Sequence, residues 1–188
     1  MKRRRYLGAL GGAASLTVAG CLGGSSGGST SDGDDTETER SDDSASNNEL
    51  PLTVQTLDAP GSTAGEVTIP SDGRPTVLDL FATWCAPCVA QMESLNHLRD
   101  EFGDDVAFVS VTNERLGGGL QIEDIRQWWV ENNGNWTLGH DPESNLMRAV
   151  RAGGLPFLVV FDASGEITWT HRGLAAEDTL RSAIEETL

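Results

Sequence analysis

The sequence predicts one α/β domain, a mixed central β-sheet flanked by helices. Three observations carry this reading. Residues 76–82, Thr-Val-Leu-Asp-Leu-Phe-Ala, are apolar apart from Asp79, as in a strand buried on both faces. Val89, Met92, Leu95 and Leu98 then recur at helical spacing and predict a helix from about 86 to 102. Two strand-like runs, 156–161 and 166–171, flank the turn Ala163-Ser164-Gly165 and predict a hairpin. A βαβ unit and a ββα unit in one sheet make that sheet mixed.

The remaining elements follow in order. Leu52–Leu57 and Glu66–Ile69 read as early strands. Val106–Val111 reads as the next central strand, ending in Thr112-Asn113-Glu114. Gly117-Gly118-Gly119 breaks the chain. Ile122, Ile125, Trp128, Trp129 and Val130 give a helix near 121–132. One of Trp128 and Trp129 is expected to face outward and meet a partner. Asp141-Pro142-Glu143 opens a helix reaching about Arg151, and 176–187 forms a terminal helix. The stretch of about 139 residues from Leu50 to Leu188 suffices for one domain with its own core.

Residues 84–88 read Trp-Cys-Ala-Pro-Cys, where the strand gives way to the helix. Cys85 falls at the helix start, and Pro87 fits the first turn. Free N–H groups and the positive end of the macrodipole favour a thiolate there. Lowering a thiol pKa from about 8.5 to about 6–7 needs roughly 2–3 kcal/mol. The dipole supplies up to about 2 kcal/mol, so hydrogen bonding to the thiolate must supply the rest. Cys85 is therefore assigned as the attacking nucleophile and the more exposed thiol, with Cys88 as the resolving thiol. Half of a zinc site is the competing reading. Zinc needs four ligands, yet the remaining cysteine is the distant Cys21, and His97, His140 and His171 show no paired spacing. The spacing favours dithiol–disulfide exchange, with no metal.

The amino terminus reads as a targeting segment over 1–20. Lys2, Arg3, Arg4 and Arg5 precede the short apolar stretch Leu7–Ala19, which falls short of the roughly 20 residues of a membrane span. Arg3-Arg4-Arg5-Tyr6-Leu7 resembles a twin-arginine export signal. Val18-Ala19-Gly20-Cys21 resembles a lipobox, which implies a lipid on Cys21 and stable anchoring by two chains. The linker at 21–49 is rich in Gly, Ser, Asp and Glu, a composition that disfavours folding. Its expected reach is roughly 30 Å. The formal charge is −16, and loss of the four basic residues of 1–20 makes it −20. Past residue 20 every Lys or Arg position is arginine. Such an acidic, lysine-free exported chain resembles those of extreme halophiles, in particular haloarchaea. High salt would screen its repulsion within about 3 Å. The charge argues against nucleic acid as a partner.

Val77 to Cys88 resembles the active-site segment of the thioredoxin superfamily. Gly153-Gly154-Leu155-Pro156-Phe157, continuing to Asp162, resembles that superfamily's cis-proline loop and following strand. With the exported, anchored amino terminus, the chain resembles the membrane-tethered TlpA/ResA-like thioredoxins, whose helical insertion the 121–132 segment matches. The resemblance implies a thioredoxin-like fold over 50–188. It implies that Leu155 and cis-Pro156 face the CxxC and offer backbone hydrogen bonds to an extended substrate. It implies that Asp79 is a buried carboxylate with a raised pKa, able to take the Cys88 proton. Trp84 would shape the docking surface.

The chain also departs from the pattern. Phe81 stands where thioredoxin has a tryptophan. Phe108 stands about where thioredoxin has the lysine that pairs with its aspartate, so Asp79 must stay protonated to higher pH or find another donor. Glu93 replaces a helix-kinking proline, and Ala86-Pro87 between the cysteines tunes a potential that spans about 150 mV across related proteins.

The functional expectation is an extracytoplasmic, lipid-anchored thiol–disulfide oxidoreductase without a cofactor, acting on exported protein disulfides and thiols through Cys85–Cys88. The resemblance implies the reductase direction, as in cytochrome c maturation, with electrons from a CcdA/DsbD-like membrane donor. An oxidase or isomerase belongs to the same class. A copper-delivery protein on the same fold is the alternative from another class, but such proteins commonly use CxxxC with a distant histidine. A peroxidase-like thiol enzyme is disfavoured because both thiols sit in one CxxC.

Overall fold

The computed structural model describes residues 49–188. The export signal, the lipobox at Cys21 and the linker apart from Glu49 lie outside the described residues. In chain order the elements are β1 (Leu52–Thr56), β2 (Gly65–Ile69), β3 (Thr76–Phe81), α1 (Ala86–Phe102), β4 (Ala107–Thr112), α2 (Ile122–Glu131), β5 (Thr137–His140), α3 (Asn145–Ala149), β6 (Phe157–Phe161), β7 (Ile167–Arg172) and α4 (Glu177–Glu185). The strands form one sheet in the order β2-β1-β5-β4-β3-β6-β7. β3, β4 and β5 run parallel, while β6 is antiparallel to β3 and to β7. This is the mixed sheet that the βαβ and ββα units predict.

All six residues of β3 are buried. Alternation along the strand divides them between two apolar layers. Val77 and Phe81 pack with Met92, Leu95 and Leu98 of α1, Trp129 of α2 and Ile184 of α4. Leu78 and Leu80 pack on the other face with Leu146 of α3 and with Val109 and Val159. Asp79 shares the face of Val77 and Phe81, so it lies in the layer that α1 covers.

Several expectations are corrected. Val89 is 44 % exposed, and Cys88, Met92, Leu95, Leu98 and Phe102 form the inward stripe of α1 instead. Trp128 and Trp129 both point inward. With Ile125 they occupy positions i, i+3 and i+4, a single helix face. Trp128 stacks on Phe81 at 4.6 Å, and Trp129 meets Trp136 edge-on at 4.9 Å. Val130 is exposed. Strand β5 was not expected, because a four-residue run containing Gly139 shows no clear alternation. The glycine leaves room there: a Cβ would lie 3.0 Å from Val111 Cγ2 and 3.2 Å from Val54 Cγ1, and those side chains would have to give by a few tenths of an ångström. Helix α3 is shorter than expected and starts later. Asp141 stays outside it, closing a turn in which Ser144 has φ 59° and accepting the Leu146 N–H at 2.8 Å.

Gly134 packs its backbone flat against the Trp129 ring, and a Cβ there would lie 2.2 Å from two ring carbons. Gly134→Ala should therefore destabilise the fold by about 1–3 kcal/mol through overpacking. Urea unfolding monitored by circular dichroism would read this as a lower midpoint at unchanged slope.

Candidate active site

Strand β3 ends at Phe81, and the chain turns over residues 82–85. Cys85 N–H donates to Ala82 O at 3.1 Å and closes the turn. Cys85 is the N-cap of α1, in extended conformation (φ −90°, ψ 98°). Its carbonyl accepts the N–H groups of Cys88 at 3.0 Å and Val89 at 3.3 Å. Pro87 stands in the first turn, where a missing N–H leaves no hydrogen bond unmade. Cys85 and Cys88 form a disulfide, with their Cα atoms 5.2 Å apart. Both cysteines are buried, Cys85 at 4 % exposed and Cys88 at 2 %. The bond to Cys88, on the inward stripe of α1, draws both sulfurs into the layer that holds Phe81 and Ala82. Trp84, next to Cys85, is 75 % exposed. It takes no part in the core and stands on the surface beside the disulfide.

Two polar groups that the sequence did not single out hold this turn. The Glu114 carboxylate accepts Thr83 N–H at 2.8 Å, the Thr83 hydroxyl at 2.7 Å and the Thr112 hydroxyl at 3.0 Å. The end of β4 is thereby clasped to the residue two positions before Cys85. His140 Nε2 donates to Glu114 O at 2.7 Å and braces the clasp from β5. Gln91, fully buried one turn after Cys88, accepts Ala175 N–H at 2.8 Å and donates to Ser94 Oγ at 2.8 Å. Glu114 was visible in the sequence only as part of a strand end, and Gln91 as one polar residue of an amphipathic helix.

The Leu155–Pro156 peptide is cis. Phe157 pairs with Leu80 and Leu158 with Asp79, which brings Pro156 to the end of β3 where the cysteine turn begins. Leu155 is half-buried and packs against both apolar layers. Gly173 N–H donates to Pro156 O at 2.8 Å. A short path thus links the proline loop through 173–175 to Gln91 and α1.

Asp79 is 3 % exposed. Burial pushes its pKa up to about 7, and a hydrogen bond from Ser110 opposes the rise. Ser110 lies directly across on β4 and donates from Oγ to Asp79 Oδ2 at 2.9 Å. Trp136 Nε1 donates to the same Oγ at 2.9 Å. Asp79 Oδ1 is buried without a hydrogen-bond partner. The donor that replaces the missing lysine is therefore a neutral hydroxyl.

The histidines hold structure together. His97 Nδ1 donates to Glu177 at 3.0 Å and joins α1 to α4, and that carboxylate raises the imidazole pKa. His171 stacks on Trp169 at 5.5 Å. Among the described residues no cluster of three or more His, Cys, Asp or Glu side chains is placed to hold a metal ion.

The profile of the Redoxin family matches residues 45–188. The chain belongs to the Redoxin family. The thiol:disulfide interchange protein DsbE of Yersinia pestis is 29 % identical over 125 residues, covering 64 % of this chain and 60 % of DsbE. The sporulation thiol-disulfide oxidoreductase A of Bacillus subtilis is 23 % identical over 122 residues, covering 64 % of this chain and 73 % of the relative. This Redoxin spans less than two thirds of DsbE. The fold is thioredoxin-like: the crystal structure of StoA from Bacillus subtilis superposes with a TM-score of 0.57 at 21 % identity, covering 71 % of this chain and 97 % of StoA. An exposed lipoprotein thioredoxin from Streptococcus pneumoniae superposes with a TM-score of 0.61 at 20 % identity, covering 72 % and 98 %.

The raised pKa of Asp79 has a definite sign for stability. Its contribution is full below the unfolded value of 3.8, falls as pH rises towards the folded value of about 7, and is flat beyond it. Asp79→Asn removes the cost of a buried charge. The oxidised variant should match wild type at pH 4 and exceed it by at most roughly 4 kcal/mol at pH 8. Equal urea midpoints at both pH values would show that Asp79 ionises as freely in the fold as in water.

Proposed function

We propose that this chain is an extracytoplasmic thiol–disulfide oxidoreductase that reduces disulfides of exported proteins through Cys85 and Cys88. The observation that carries the reading is a disulfide at the start of α1, on the sheet face that holds a buried carboxylate of raised pKa. In the reduced enzyme the Cys85 thiolate attacks a substrate disulfide. A Cys85–substrate mixed disulfide forms and one substrate thiolate leaves. Cys88 gives its proton to Asp79 and attacks Cys85 Sγ. The Cys85–Cys88 disulfide closes and the second substrate thiolate leaves, so two electrons pass to the substrate. A CcdA/DsbD-like membrane dithiol donor restores the reduced pair.

Leu155 and Pro156 offer backbone hydrogen bonds to the extended substrate segment, and Trp84 supplies apolar contact beside the sulfurs. The names of the relatives support exchange chemistry, and that of the pneumococcal protein supports an anchored, exposed setting. Lipid on Cys21 and the acidic linker would tether the domain at the outer face of the membrane, as in a haloarchaeal-type lipoprotein.

Insulin reduction at pH 7 should be lost in Cys85→Ser. Cys88→Ala should still attack and then stall, accumulating a covalent mixed disulfide visible on non-reducing gels. Full turnover by Cys85→Ser would overturn the assignment. A Cys85–Cys88 potential well above about −180 mV would overturn the reductase direction.

A further inference from the structure

We propose that Ser110 is a positioning residue for Asp79: held by the Trp136 indole, its hydroxyl engages Oδ2 and leaves Oδ1 as the atom that takes the Cys88 proton. The proposal rests on the proton-acceptor role of Asp79 given above. The direction of the hydrogen-bond chain follows from donor chemistry. An indole N–H can only donate. With Trp136 Nε1 at 2.9 Å filling an acceptor site on Ser110 Oγ, the Ser110 proton must point elsewhere. Asp79 Oδ2 lies at 2.9 Å and takes it. Ser110 is fully buried and Trp136 nearly so, so little water competes for either bond.

The two carboxylate oxygens therefore differ. Oδ2 carries a hydrogen bond, while Oδ1 is buried with none. A proton placed on Oδ1 preserves the Ser110 bond. Among the described residues Cys85 and Cys88, brought by α1, are the groups of this buried layer that become ionisable beside Asp79 once the disulfide is reduced. α2, α4 and β6 add apolar side chains to it, and β4 adds the Ser110 hydroxyl. Among the described residues the other buried carboxylate, Asp141, accepts the Leu146 N–H at the start of α3, and Leu146 packs in the opposite layer. Among the described residues Asp79 thus has no buried cation to stabilise its charge, and the Ser110 bond is what opposes its desolvation.

The test uses the full-length oxidised chain with 13C-labelled aspartate. The Asp79 carboxyl resonance is identified by its loss in Asp79→Asn and followed against pH. Ser110→Ala should move its midpoint up by about one pH unit. Trp136→Phe, which keeps the ring and removes the N–H, should move it up by less, and Ser110→Thr should restore it. In the reduced enzyme, resolution of a preformed mixed disulfide should shift to higher pH by the same amount in Ser110→Ala, about tenfold slower at pH 6. An unmoved midpoint in folded Ser110→Ala overturns the role of Ser110 alone. A midpoint that moves while the resolution profile stays put overturns proton transfer to Asp79, and the Oδ1 assignment with it.

Discussion

With helices over both faces of the sheet, every side chain of β3 is buried, and Asp79 in its middle must be satisfied almost wholly by protein. An isolated charge in such a place is too costly to persist, so the group shifts its pKa and holds its proton towards neutrality. That one constraint shapes its neighbours. A hydroxyl faces it across the β3–β4 ladder, an indole N–H fixes that hydroxyl, and one carboxylate oxygen is left free. The same dry layer encloses the disulfide.

Bringing two sulfurs into reacting distance is a local matter of one helical turn. Holding the turn still is not. Thr83 is clasped by Glu114, two residues past the end of β4, and Gln91 ties α1 to the segment that reaches the proline loop. Each contact satisfies a polar group that would otherwise be left unpaired. Trp84 escapes this enclosure, which sets an apolar surface beside the disulfide.

Much of the fold was legible because period is a local signal. β3, α1 and the β6–β7 hairpin fell within about a residue of their expected ends. β5 was hidden by its length and by Gly139, whose value lies in what it leaves room for between Val54 and Val111. Trp128 and Trp129 misled because two large rings in succession suggest opposite faces. Only the contacts with Phe81, Trp136 and Gly134 show the space that takes both.

The sequence by itself marked the cysteine pair that the structure joins in a disulfide. Two cysteines three apart at a strand-to-helix junction are brought within bonding reach by one helical turn, since helix geometry follows from a few neighbouring residues. It also marked Asp79 as a charge among apolar neighbours. Which groups answer that charge was decided only in three dimensions. Ser110 and Trp136 lie 31 and 57 residues away along the chain, and their chemistry becomes specific only when the β3–β4 register sets a hydroxyl opposite a carboxylate. The burial of Cys85 was decided there as well, because exposure depends on what folds over a residue and not on the residues beside it.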